Sequence, residues 1–315
     1  MKIRRATVTD MPHVADMKAD PAISSVDAER LVGEVTAGRM RPEWSWLAES
    51  DDGDLIGRAL WWGHAHRDWP ITLDAIDVVG VADRAEVARK MLTEAHRAFL
   101  AGGSRAVPEY LLKLPPDWRE RPAVRREVDW RVMAARSAGL TEENERLQFE
   151  WRTVTGVPAP SPGVSFRPGD DEEFLELFRR VAVDSLDVAT RRSLAVLDPV
   201  DQARDDFGFY LASPGERSWW RIATDKAGEV LGFVVPSATP YARNVGYLGV
   251  LPEHRGNGLV DALLAEAVHG HTCDGADRIT ATTDMANAPM VASFERIGFH
   301  VTEHRLVLEP RRHMT

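Results

Sequence analysis

Apolar positions recur at two spacings along this chain, and together they divide it into alternating strands and helices. Residues 1–18 combine a short strand, 2–6, with a helix capped by Thr9 or Asp10 that carries Met11, Val14, Ala15 and Met17 on one side. Ala28, Leu31, Val32 and Val35 fall at helical spacing and predict a helix over 27–37. Strands follow at 44–48 and 55–62, on either side of the hairpin turn composition Glu49-Ser-Asp-Asp-Gly-Asp54. The first half closes with a strand at 72–81, a helix at 85–100 stopped by Gly102-Gly103, a strand at 110–114, a charged helix at 124–138 and a strand at 146–152.

Residues 153–163 have no periodicity and contain Pro158, Pro160 and Pro162, the composition of a semi-rigid linker. After them the order of elements repeats. A strand at 164–167 precedes a helix at 172–183 and a mixed helical segment at 188–211; strands at 219–224 and 230–236 form a second hairpin around Asp225-Lys-Ala-Gly-Glu229. A strand ending near Val250, a helix from Leu259, a strand at 278–283, a helix at 288–297 and a strand at 302–309 complete the chain.

Three segment pairs point to a duplication. Asp54-Leu-Ile-Gly57 matches Glu229-Val-Leu-Gly232, and Ile3-Arg4 matches Phe166-Arg167. In the third pair, Met133-Ala-Ala-Arg-Ser-Ala-Gly-Leu140 and Ala292-Ser-Phe-Glu-Arg-Ile-Gly-Phe299 are both helices stopped by glycine. The expected organisation is therefore two homologous mixed α/β domains, 1–152 and 164–315, joined by the linker 153–163.

Composition narrows the classes. No apolar run approaches a membrane span, and no apolar stretch follows the basic N-terminus as a signal peptide requires, so a cytoplasmic protein away from membranes is expected. A net charge of −10 argues against broad nucleic-acid binding. The single cysteine, Cys273, excludes an intrachain disulfide, and the histidines are spread over separate elements, so no metal is expected.

The chemistry gathers at Gly246-Tyr-Leu-Gly-Val-Leu-Pro-Glu-His-Arg-Gly-Asn-Gly258. Pro252 stops a strand, Gly256 and Gly258 let the backbone turn, and a helix begins, so that free N–H groups converge on one concavity suited to a phosphate. No Lys follows Gly258 as a P-loop needs, and Asp261 stands where a dinucleotide fingerprint needs its third glycine. In the first half, Val79-Gly-Val-Ala-Asp-Arg-Ala-Glu-Val87 takes this place, with Gly80-Val81 set against Gly249-Val250. It is shorter by about three residues and lacks both loop glycines, so that half is expected to be catalytically silent, with a role as cover and part of a substrate wall.

Arg255-Gly-Asn-Gly258 resembles motif A of the GNAT superfamily of N-acetyltransferases, with Val260 in place of its last Gly or Ala. Asn287 to Phe299, ending Ile297-Gly-Phe, resembles motif B. The resemblance implies two GNAT-like domains, each a splayed, mostly antiparallel sheet flanked by helices, with acetyl-CoA as co-substrate in the second. It implies contacts to the cofactor from Leu248, Gly249 and Val250 on the strand, from Arg255, Gly256, Asn257, Gly258, Leu259 and Val260 at the turn, and from Asn287. It also implies an oxyanion donor at the Val250 N–H and direct attack by the primary amine of a small molecule. The family's usual motif B tyrosine is here Phe294. Tyr247 and Asp284 are then the candidate catalytic groups, the first as a polar or orienting group and the second to accept a proton or bind an ammonium. The tandem arrangement is also similar to the mycothiol synthases, and the missing tyrosine leaves a silent CoA-binding sensor or scaffold as a further alternative.

Overall fold

The computed structural model describes residues 1–17, 23 and 26–311; position 18 of the first expected segment and positions 312–315 of the second domain lie outside them. Two compact units result. One comprises Met1–Glu145 with Glu303 to Arg311, the last described residue, the other Arg146–Thr302.

The first unit contains β1 (Lys2–Arg5), α1 (Met11–Asp16), α2 (Ala28–Thr36), β2 (Trp46–Glu49), β3 (Leu55–Trp62), β4 (Thr72–Val78), α3 (Arg84–Ala101), β5 (Glu109–Leu114) and α4 (Pro122–Ser137). The next strand, β6 (Glu142–Arg152), runs past the end of this unit. The second holds β7 (Ser165–Arg167), α5 (Asp171–Ala182), α6 (Val188–Leu194), α7 (Pro199–Ala212), β8 (Arg221–Thr224), β9 (Val230–Ala238), β10 (Arg243–Val250), α8 (Leu259–Cys273), β11 (Arg278–Asp284) and α9 (Ala288–Arg296). The last strand is β12 (His300–Glu309).

The sheets do not follow chain order. In the first unit β1, β2, β3 and β4 are antiparallel neighbours, β4 meets β5 in parallel, and the far side of β5 is covered by β12 through Leu306↔Leu112 and adjacent pairs. The second unit repeats this order as β7, β8, β9, β10 and β11, and the covering strand is β6, paired from Arg146↔Asp284 to Arg152↔Arg278. Each half of the chain thus gives its last strand to the sheet of the other half. The linker expected at 153–163 lies within the second unit.

Alternation along the strands places one apolar face against the helices. Trp61 packs on Phe99 of α3 with ring centroids 5.3 Å apart, and Phe178 of α5 on Phe233 of β9 at 4.8 Å. All four are fully buried, and each buried side chain of this size contributes roughly 1.5–3 kcal/mol. Trp44, Trp46 and Trp61 belong to the first unit's core. Position 44 itself lies in a single turn, Pro42–Trp44, because Pro42 favours a helical start over the expected strand.

Parallel pairing between β10 and β11 is confined to Arg243↔Ile279 and Asn244↔Thr280. Just beyond, β10 bulges where its register against β9 shifts between Asn244 and Tyr247. Gly246 makes the bulge possible: its φ is +73°, and a Cβ there would sit 2.2 Å from the Val235 carbonyl oxygen. From Tyr247 on, β10 keeps β9 on one side and parts from β11 on the other. A cleft opens between the two strands.

Candidate active site

The cleft is a cavity of about 400 Å³ lined by β10, the turn after it, the starts of α8 and α9, and residues 184–187. Leu251 N–H bonds to the Leu231 carbonyl at 3.0 Å, which fixes the alternation along β10. Gly249 and Leu251 therefore turn their backbone groups toward β9, whereas those of Leu248 and Val250 face the open side. The Val250 carbonyl accepts from Arg255 Nε at 3.2 Å, which leaves its N–H for a ligand.

Eight residues, 251–258, join β10 to α8. Gly256 and Gly258 have φ of +82° and +73°, and a Cβ at either would meet nothing within 4 Å. Glycine is required there by conformation, and the space beside it is open. Gly258 caps α8 without a side-chain acceptor. Gly256, Asn257, Gly258, Leu259 and Val260 donate their backbone N–H groups to no backbone or side-chain acceptor among the described residues. Five unsatisfied donors at a helix start match the oxygens of a pyrophosphate.

Arg255 was expected among the contacts to the cofactor. Instead its guanidinium donates to the carbonyls of Val181 (2.8 Å), Val183 (2.9 Å) and Asp184 (3.3 Å), besides that of Val250. These are the orphan carbonyls at the end of α5, and a cation is favoured there. Arg255 thus fixes the turn against α5.

Of the residues singled out from the sequence, Tyr247, Leu248, Gly249, Val250, Arg255, Gly256, Gly258, Leu259, Val260 and Asn287 line the cavity. Asn257 does not; its side chain bonds to the His254 carbonyl at 3.1 Å. Asn287 caps α9 through the Met290 N–H and faces the cavity as well. Asp284 is almost fully buried and stands outside the cavity wall. Its carboxylate accepts from the Val188 N–H at 2.6 Å and lies 3.3 Å from Arg146 Nε, so it is committed to local structure. Phe294 lines the cavity, as its place in motif B requires.

Three groups escaped the sequence reading. Tyr210 of α7 lines the cavity, its ring centroid 5.6 Å from that of Tyr247. Asp206 stands one helical turn before Tyr210 on the same helix. Burial, aided by Asp187 and Asp205 and opposed by a hydrogen bond from Gln202, pushes its carboxyl up to about 6. Burial also raises the Tyr247 and Tyr210 phenols, with Asp206 and Asp187 adding to it, so both stay protonated. The third group is Arg146, contributed by β6. The lack of periodicity around 188–211 hid the first two, and only strand pairing brings the third to the site.

The first unit shows what a closed version looks like. Val79 N–H bonds to the Ile56 carbonyl as Leu251 does to Leu231, and Gly57 stands opposite Val78 as Gly232 does opposite Val250. Val78 is therefore the counterpart of Val250, a shift from the expected match of Gly80-Val81 with Gly249-Val250. The connection to the helix is five residues, 79–83, and Asp83 caps α3 with its own carboxylate on the Glu86 N–H. An anion is present where the other unit leaves donors free. Arg131, at the α4 position that corresponds to Met290, donates to the Ile76 carbonyl on the open strand edge at 3.1 Å. Only about 10 Å³ of space remains there, room for at most about one water.

The splayed parallel pair and the N–H cradle beyond it are the features that the GNAT-like reading of the sequence implied. Residues 184–299 match the Acetyltransferase (GNAT) family. That match lies within the second unit, and with the curated relatives it supports an acyltransferase. It is 29% identical over 318 residues to the mycothiol acetyltransferase of Salinispora arenicola, covering 95% of this chain and 93% of that one. Its similarity to the mycothiol acetyltransferase of Corynebacterium glutamicum (strain ATCC 13032) is 32% over 82 residues, 26% of this chain and 28% of the relative. A GCN5-related N-acetyltransferase from Sphaerobacter thermophilus shares the fold with a TM-score of 0.58 at 15% identity, over all of this chain and 98% of that one.

Proposed function

We propose that the second unit transfers an acetyl group from acetyl-CoA to the primary amine of a small molecule by direct attack, in the cytoplasm. The observation that carries this is the set of five unpaired N–H groups from Gly256 to Val260, placed at the end of an open strand edge. The pyrophosphate would rest on those groups, the pantetheine arm along Leu248 and Val250, and the thioester oxygen on the Val250 N–H. An N–H aimed at a developing oxyanion is worth on the order of 10²–10³ in rate.

The ammonium of the acceptor loses one proton and its nitrogen attacks the carbonyl carbon. The C–N bond forms, the C–S bond breaks, and the second nitrogen proton ends on the departing sulfur. Tyr247 and Tyr210 border the place where this occurs, and Asp206, half-ionised near pH 6, is the acid–base group behind them. Asp284 is assigned to holding Arg146 and the start of α6.

The first unit is assigned no catalysis, since both its cradle and its cleft are filled. Alignment with the Salinispora relative over nearly the full length of both chains favours a narrower reading, a mycothiol-type acceptor. Acetyl-CoA is expected to raise the melting temperature, and thiol release is expected with an amine panel that includes mycothiol precursors. No melting shift with the parent protein removes the reading. Turnover confined to the precursors selects the narrower one.

A further inference from the structure

The cavity lining includes Arg146, Asp184, Asp187, Tyr210 and Tyr247. Arg146 enters on β6 directly opposite Asp284. Its guanidinium lies 3.3 Å from that carboxylate, yet Nε is buried without a hydrogen bond, and Arg146 donates none to the described residues. The side chain remains about one-third exposed, at the cavity wall. A planar fork held from behind by a buried carboxylate, with its donors unused, is arranged for a two-oxygen anion.

Two acidic residues also line the cavity, Asp184 and Asp187. Asp184 has φ of +52°, the only positive value for a non-glycine among the described residues. Backbone strain of this kind persists where the surroundings impose it, often at ligand sites. Asp187 caps α6 through the Thr190 N–H and faces the cavity. Arg146 thus shares the lining of one cavity with two carboxylates.

We propose that Arg146 binds a carboxylate of the acceptor, which is therefore an amine with a carboxylate a few bonds away, an amino-acid-like zwitterion. The inference rests on the acetyltransferase reading and names the acceptor class for that site; it stands against the narrower mycothiol-type acceptor, whose cysteinyl carboxyl is tied up in an amide and offers Arg146 no carboxylate. Asp184 and Asp187 attract the ammonium, Arg146 takes the carboxylate, and the two ends fix which nitrogen faces the thioester. Asp284 acts through Arg146 as a positioning residue.

The test compares matched pairs, such as phenylalanine with phenethylamine and lysine with cadaverine, by thiol release from acetyl-CoA. The parent protein should favour the carboxylate-bearing member by about tenfold or more in kcat/KM, as expected for a charge-assisted bidentate contact. Arg146→Ala should bring the ratio close to one. Arg146→Lys, which keeps the charge beside Asp284 and loses the fork, should give an intermediate ratio; it decides the matter should the alanine variant fail to fold. Equal rates for both members, a preference for the bare amine, or no turnover of either member overturns the inference. An intact melting shift with acetyl-CoA in those cases leaves the acetyltransferase reading standing, whereas a missing shift removes that reading as well.

Discussion

Phe294 stacks on Phe149, with ring centroids 4.7 Å apart and planes 23° from parallel, at the position where the family usually carries a tyrosine. The contact joins α9 to β6, and Phe294 is 2% exposed. Phe294→Ala should lower stability by about 3–5 kcal/mol, as other buried aromatic truncations do, measured by denaturant unfolding. Phe294→Tyr tests the chemistry. A general acid is worth about 10²–10⁴ in rate, so a rise in kcat of a hundredfold or more would show that the departing thiolate lacks a donor. A change below about tenfold is expected, because Tyr247 and Tyr210 already border the site.

The cradle separates conformation from space. Gly258→Val forces a β-branched residue into φ near +73° and should destabilise the free protein by about 1–2 kcal/mol. Gly258→Asn tolerates that φ but sets a side chain where a phosphate would lie. Both variants should lose most of the melting shift given by acetyl-CoA. Retention of the full shift by Gly258→Asn would place the pyrophosphate elsewhere.

Arg255 gives a prediction opposite to that for a phosphate-binding arginine. Its donors end on four carbonyls, so Arg255→Gln, which removes the charge, should loosen the turn and cost about 1–3 kcal/mol in the free protein. Affinity for acetyl-CoA should weaken with little change in salt dependence, which titration at two ionic strengths measures. A marked loss of salt dependence in the variant would return its charge to the phosphates.

Asp206 predicts a pH effect with a definite sign. Its folded value of about 6 lies above the ordinary value of 3.8, so the folded state binds the extra proton between those limits. Stability attributable to this group is present below about pH 4 and is lost as pH rises through 6. Asp206→Asn should therefore stabilise the protein above pH 6, by up to about 3 kcal/mol, and have little effect near pH 4. The same substitution should flatten the acidic limb of the kcat/KM profile. A limb unchanged in midpoint and height would take Asp206 out of proton transfer.

Much of the local structure was legible because periodicity reports it directly. The strand Leu55–Trp62 was read to the residue, and α3 and α9 to within one residue at each end. The cradle was visible from Gly256 and Gly258, since few backbones need two such residues before a helix. Partnership was less accessible. Alternation says which face of β6 is apolar but not which edge it will cover, so the trade of β6 for β12 and the arrival of Arg146 beside Asp284 had no local signal. Side-chain destination was equally hidden for Arg255, whose carbonyl partners lie more than seventy residues upstream, save that of Val250. Matching Gly80 with Gly249 put weight on a shared glycine, and the pairing of Gly57 with Val78 shows how a short connection moves such a residue out of the strand.

The traded strands constrain how the gene can be divided. A fragment spanning 164–315 would carry β12 with no β5 beside it and a β11 edge stripped of β6, two unpaired ladders of the kind that invite aggregation. A fragment ending at 152 would have the complementary defect. Moving the cut cannot repair both, so truncation is the wrong way to ask which half is active, and co-expressed halves should regain solubility only when both are present.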